Sequence, residues 1–248
     1  MDLLQSRAEL AFRPQIVNGK EMAVRLQKFL GNGIYTIPEA ALYARVSPAM
    51  MNRWLFGTEK GRSVIEPQFG KQDKIVSFLD LIQTLAIREI RLQRQVPLLK
   101  FRQAIRTAKD RLGLTHPFAR QHCTYLMGED LIIRPPGNDD EFVEASGKHQ
   151  GQRLFPFVEM YLENLTFSND GLANKYQIYT SNGVAILMSP DHRFGEPLLP
   201  SGYTAMAIWE SIIAEGSIER AAKVYGIPKE EAEASYKFVN DHLGKSVA

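Results

Sequence analysis

The chain has 248 residues, is 44% apolar and carries a formal net charge of +2, which is enough to bury a sizeable core in one or two domains. Its one cysteine, Cys123, excludes an intramolecular disulfide and a cysteine-based metal site, and the closest histidines, His116 and His122, miss the i, i+4 spacing of a helical zinc site. Charge is split, with 20 Lys and Arg against 10 Asp and Glu through residue 120 and 10 against 18 after it, a balance of +10 followed by −8. A basic first part points to a polyanion, and an acidic second part to a basic protein surface. Charged residues interrupt positions 1–30 throughout, so neither a signal peptide nor a membrane span is expected, and the expected compartment is the cytoplasm.

In chain order, Met22, Ala23, Leu26, Phe29 and Leu30 form one stripe and predict a lead-in helix over residues 19–30, stopped by Gly31, Asn32 and Gly33. Residues 36–57 then read as two short helices joined by a tight turn. Thr36 and Glu39 have capping-box spacing, and Ile37, Ala40, Ala41 and Ala44 give a narrow face of small side chains against which a helix can lie close. Arg45 and Val46 make the turn. Ser47 caps the second helix and Pro48 suits its first position. Met51, Trp54 and Leu55 face inward, while Ala49, Asn52 and Arg53 face outward, and Asn and Arg are side chains that bond adenine and guanine edges in the major groove. Residues 58–74 lack a helical period, contain a Pro67-Gln68-Phe69-Gly70 turn signal and read as a basic wing carrying Lys60, Arg62, Lys71 and Lys74. Ser77 and Asp80 repeat the cap ahead of a long helix to about Gln93. Val96-Pro97 restarts the helix to Gly113, with Arg102, Arg106, Lys109 and Arg111 read as a solvated face, and a short helix follows Pro117.

Together, Tyr35-Thr36-Ile37, Glu39-Ala40, Val46-Ser47-Pro48, Trp54, Ile65-Glu66-Pro67, the Ser77 helix start and Val96-Pro97-Leu98 resemble the winged helix-turn-helix head of MerR-type regulators over residues 34–106. The chain departs from that pattern at Arg45, where a glycine is usual, and at Ala49, Asn52 and Arg53 of the second helix. These departures bear on the DNA sequence read and leave the mode of docking as it is. The expected DNA contacts are Tyr35, Arg45, Ser47, Ala49, Met50, Asn52, Arg53, Lys71 and Lys74. A homodimer is expected because helix-turn-helix proteins and two-fold operators go together.

From Tyr125 the pattern turns to short strands. Residues 125–127 and 131–134 predict a hairpin, residues 142–145 a further strand, 155–162 a short helix, and 165–168, 172–180 and 184–189 three strands of a small antiparallel sheet. The last part predicts helices over 204–214, 217–225 and 228–243 with apolar stripes that include Ile213 and Val224, and an acidic outer face with Glu210, Glu215, Glu219, Glu230, Glu231 and Glu233, which phosphates would avoid. Arg193-Phe194-Gly195-Glu196-Pro197, Ala214-Glu215-Gly216-Ser217, Ala221-Ala222 and Tyr225-Gly226-Ile227 are similar to a helical domain of unknown function that accompanies toxin-antitoxin pairs.

The expected fold is therefore α+β, mostly α: a MerR-like winged helix-turn-helix head (1–120), a strand-rich connection (121–188) and a three-helix module (189–248). The chain as a whole resembles a VapB-type antitoxin with a MerR-like head. That resemblance implies a PIN-domain ribonuclease toxin as partner and repression of the shared operon. An acidic half could occupy a toxin's basic groove, and Arg153, Arg193, Arg220 and Lys229 could each reach its metal-binding carboxylates; the sequence does not choose among them. No phosphate-binding glycine loop, zinc ligand set or Ser, His and Asp grouping stands out, so catalytic residues, a metal and a cofactor are not expected. The alternative reading is an effector-responsive MerR-like regulator without a toxin, its strand region binding a small ligand.

Overall fold

The computed structural model describes residues 29–58, 61–121, 124–127, 130–133, 143–146 and 164–244. All but the last two residues of the expected lead-in helix, the helix expected at 155–162, Lys60 and Arg153 lie outside them.

Helix α1 (Ile37–Ala44) starts where its capping box requires: the Glu39 amide donates to the Thr36 hydroxyl (3.3 Å), and the Thr36 amide donates to the Glu39 carboxylate (2.9 Å). It ends at Arg45, whose φ of 52° takes the left-handed conformation. Helix α2 (Pro48–Phe56) follows, its Met50 amide donating to the Ser47 hydroxyl at 3.1 Å. Ala40, Ala41 and Ala44 are fully enclosed, as are Met51, Trp54 and Leu55. Small side chains on one helix let the larger ones of the other settle between them. Both helices pack on α3 (Phe78–Arg94), which opens with the second expected box: the Asp80 amide donates to the Ser77 hydroxyl (3.1 Å) and the Ser77 amide to Asp80 (3.2 Å). Helix α4 (Leu98–Leu112) ends on Gly113 at φ 64°. The short helix expected after Pro117 is one 3-10 turn, Pro117–Ala119.

Among the described residues there are two three-stranded antiparallel sheets, one more than expected. The first joins β1 (Thr124–Met127), β2 (Asp130–Ile133) and β3 (Val143–Ser146), with β2 and β3 lying on α4. The second joins β4 (Leu165–Phe167), β5 (Ala173–Ser181) and β6 (Val184–Met188) through tight turns at 169–171 and 182–183. Helices α5 (Ala205–Glu215), α6 (Ile218–Tyr225) and α7 (Lys229–Lys237) close the chain. The last was expected to continue to residue 243; instead it widens at Phe238–His242 into a π turn that buries Phe238 and Val239. The chain is thus mixed α+β with helix predominating, and buried side chains from the helical head, both sheets and the last three helices form one continuous core.

Three parts of the expected apolar and charged pattern need correction. Ile213 and Val224, assigned to inward stripes, are 39% and 64% exposed, and Leu99 of α4 is 60% exposed, because helix phase sets each off the face buried through Ile208 and Ile212, Ala221 and Ala222, or Phe101 and Ala104. Glu231, assigned to the outer acidic face, is buried and accepts the Ser201 amide at 3.1 Å, so it fastens the loop ahead of α5. Arg102 is no member of a solvated face: its guanidinium donates to the carbonyls of Ser63 (3.1 Å) and Arg62 (3.0 Å).

Candidate nucleic-acid interface

The turn between α1 and α2 is closed by the backbone. The Arg45 amide donates to Leu42 O at 3.1 Å and the Val46 amide to Ala41 O at 3.0 Å, the pattern by which a left-handed residue ends a helix. A glycine would adopt φ 52° without strain, whereas arginine pays about 1 kcal/mol for it. Arg45 is exposed and adds its field to that of Arg88 around His242, whose imidazole is held below its usual pKa first by burial and then by these two cations. The same cations lie near Tyr176 of β5, whose hydroxyl is pushed up to about 12, mainly by burial. Arg45 therefore stands at the seam between the first helix pair and the carboxyl-terminal part.

Beyond the turn, α2 presents Ser47, Pro48, Ala49 and Arg53 to solvent, with Met50 and Asn52 half-buried. The loop after α2 is folded back on its end: the amides of Val64 and Ile65 both donate to Trp54 O, at 2.7 and 3.0 Å. Thr58 and Gly61 pair as an antiparallel bridge, and Gly57, at φ 80°, has no room for a Cβ because Gly61 O would lie 2.8 Å away. Arg102 fixes the return of this loop, and Lys109 pairs with Glu66 (2.6 Å) beyond it. Arg62, Lys71 and Lys74 are exposed. Anchored by Arg102, the loop thus carries exposed cations beside the exposed start of α2.

Tyr35 does not belong with them. It is 1% exposed, stacks edge-on against Tyr43 with ring centroids 6.0 Å apart, and donates its hydroxyl to Gly195 O at 2.8 Å. It points into the molecule and cannot touch DNA. The Arg193-Phe194-Gly195 segment that receives it has three successive residues at positive φ, 45°, 55° and 90°. Its carbonyls are thereby turned toward the head: Phe194 O accepts the Ile34 amide at 3.0 Å. Two non-glycine residues in this strained region persist only where surrounding contacts hold them. Sequence reasoning missed this clasp, and its only signal was the glycine in an otherwise bulky Arg-Phe-Gly-Glu-Pro run.

Of the cations expected to reach a toxin, Arg193 and Arg220 are exposed, whereas Lys229 is engaged by Glu219 (2.6 Å) and Glu233 (3.6 Å). The Lys229 ammonium draws the exposed Glu219 carboxyl down to about 2. No group of His, Cys, Asp and Glu that could hold a metal ion occurs among the described residues, and no described helix is long and apolar enough to cross a membrane.

No family model and no curated protein matches the chain. Among solved structures it is similar to the crystal structure of Rv2018 from Mycobacterium tuberculosis, at 16% identity and a TM-score of 0.54 over 81% of this chain and 96% of that one. At that identity the likeness concerns the fold alone, and its extent shows that the mixed α+β arrangement is shared over most of the chain.

Proposed function

We propose that this chain is a DNA-binding antitoxin that represses its own operon through a winged helix-turn-helix head and neutralises a PIN-domain ribonuclease toxin through its acidic carboxyl-terminal half. One observation carries the DNA-binding part: α2 opens with the uncharged, exposed Pro48 and Ala49 and carries Arg53 outward with Asn52 half-buried beside it, flanked by a loop anchored by Arg102 and bearing Arg62. The start of a second helix, with small side chains that allow close approach and amide or guanidinium groups beside them, suits major-groove reading. The charge split, +10 through residue 120 and −8 after it, supports separate partners for the two parts. Operator symmetry would be met by a homodimer.

The test is a salt-titrated gel shift on the DNA upstream of the chain's own gene, paired with co-purification with the neighbouring gene product. Arg53→Ala is expected to weaken operator binding by about 1–3 kcal/mol while sparing random DNA, and Lys71→Ala to weaken both alike. Equal losses on both DNAs for Arg53→Ala would remove the base-reading role. A neighbour that fails to co-purify at low salt would remove the antitoxin role and leave the DNA-binding one standing.

A further inference from the structure

The loop after α2 carries an exposed guanidinium, that of Arg62, which makes no hydrogen bond or ion pair with any described residue. The backbone beneath it is held from two helices. Val64 and Ile65, both buried, donate their amides to Trp54 O at 2.7 and 3.0 Å and tie the loop to the end of α2. Arg102, half-buried on α4, ties the adjoining residues to a different helix: its Nε donates to Ser63 O at 3.1 Å and its Nη2 to Arg62 O at 3.0 Å.

One planar guanidinium thus grips two successive carbonyls, a match that an ammonium on a flexible stem cannot reproduce. One of those carbonyls belongs to Arg62 itself. The grip therefore fixes the peptide group next to the free side chain, and with it the direction in which that side chain leaves the loop. An arginine on a loose loop would have to order both loop and side chain on meeting a phosphate, whereas a loop fastened beforehand leaves only the side chain to order.

We propose that Arg102 is a positioning residue for DNA, holding Arg62 ready for one backbone phosphate beside the groove that α2 enters. The proposal rests on the DNA-binding reading of the head and adds to it a residue that itself touches no DNA. A phosphate contact is blind to base sequence and releases counterions, so both arginines should act on any duplex and show in the salt dependence.

Fluorescence anisotropy of the full chain on a random duplex, titrated with salt, decides it. Arg62→Ala should weaken binding about eightfold at ~0.1 M salt and lower the slope of log K against log salt by about 0.9, the share of one phosphate. Arg102→Ala and Arg102→Lys should each do nearly the same, although the lysine keeps the charge. In the Arg62→Ala background, either change at Arg102 should cost less than about twofold more. A side chain retained only for stability would lower the melting temperature without moving the salt slope. One that touches a phosphate itself would be largely rescued by lysine, and its loss would add to that of Arg62→Ala. Arg102→Lys decides the matter if Arg102→Ala does not fold. An unchanged slope in Arg62→Ala or in Arg102→Lys, or losses that add in the double variants, overturns the proposal and leaves the DNA-binding reading standing. No salt-dependent DNA binding by the natural chain removes both.

Discussion

The pairs α1–α2 and α6–α7 turn their corners by the same device and put it to different use. Each first helix has a buried alanine pair, Ala40-Ala41 or Ala221-Ala222, and ends on a left-handed residue, Arg45 at φ 52° or Gly226 at φ 63°. In each, the next amide reaches back five residues, Val46 to Ala41 O and Ile227 to Ala222 O, both at 3.0 Å. The second helices then part company. Helix α2 opens with Pro48-Ala49-Met50 and leaves the positive end of its dipole uncompensated, which suits a phosphate. Helix α7 opens with Lys229-Glu230-Glu231: its acids already answer that dipole, Glu231 is spent on the Ser201 amide, and Lys229 is held by Glu219 and Glu233. Backbone geometry makes both pairs, and side-chain charge at the start of the second helix sets them apart.

The comparison is broken most severely where the two parts are joined. A Cβ at Gly195 would lie 2.0 Å from the Tyr35 hydroxyl oxygen, and φ 90° is closed to L side chains. Gly195→Ala is expected to destabilise the chain by at least about 3 kcal/mol in urea unfolding, through overpacking and backbone strain together. Tyr35→Phe, which only deletes a buried hydrogen bond, should cost about 1–2 kcal/mol. The double variant should cost less than the sum, because removing the hydroxyl removes the nearest clash.

Acid titration sharpens the contrast, since the acid beneath α1–α2 is buried and those around α7 are largely exposed. Burial raises Asp80 to about 6 from 3.8, against the pull of its bonds to the Ser77 and Gln68 amides. The stability it contributes is fully present below pH 3.8 and is lost as the pH rises through 6. His116 is depressed from 6.5 to about 4, so its contribution is lost as the pH falls through that window. The two slopes oppose each other between pH 4 and 6. Asp80→Asn leaves His116 alone, and its stability should fall between pH 6 and pH 4 by on the order of 2 kcal/mol more than that of the natural chain. Chemical denaturation at the two pH values checks this. Glu219→Gln should leave the pH profile well above 4.5 unaltered, because the carboxyl is ionised there in both the folded and the unfolded chain, and should change it only as the pH falls from 4.5 toward 2.

What could be read in advance was what short-range chemistry specifies. Both capping boxes, the Ser47 cap and the Gly113 stop depend on a few neighbouring residues and stand where the sequence places them. The misplaced residues depend on distant ones. Tyr35 was read as facing DNA because its partner, Gly195, lies 160 positions away. Arg102 was read as solvated because the carbonyls it holds are 39 and 40 positions back. Glu231 belongs with the acids by spacing and is set apart only by the return of Ser201. For the interface, Ala49 and Arg53 follow from helix phase alone, whereas the clasp at Tyr35 and Gly195 requires the whole fold.

The smallest expected effects exchange the corner residues themselves. Gly226 has open space around a would-be Cβ, so Gly226→Ala meets no clash and carries only the penalty of φ 63°, about 1 kcal/mol of lost stability. Arg45→Gly relieves the same penalty at φ 52° and should be stabilising by a few tenths of a kcal/mol, the gain being reduced by the greater freedom of glycine in the unfolded chain. Calorimetry would resolve the two changes as shifts of opposite sign. If Arg45→Gly destabilises instead, the arginine contributes through its side chain at the seam between the first helix pair and the carboxyl-terminal part.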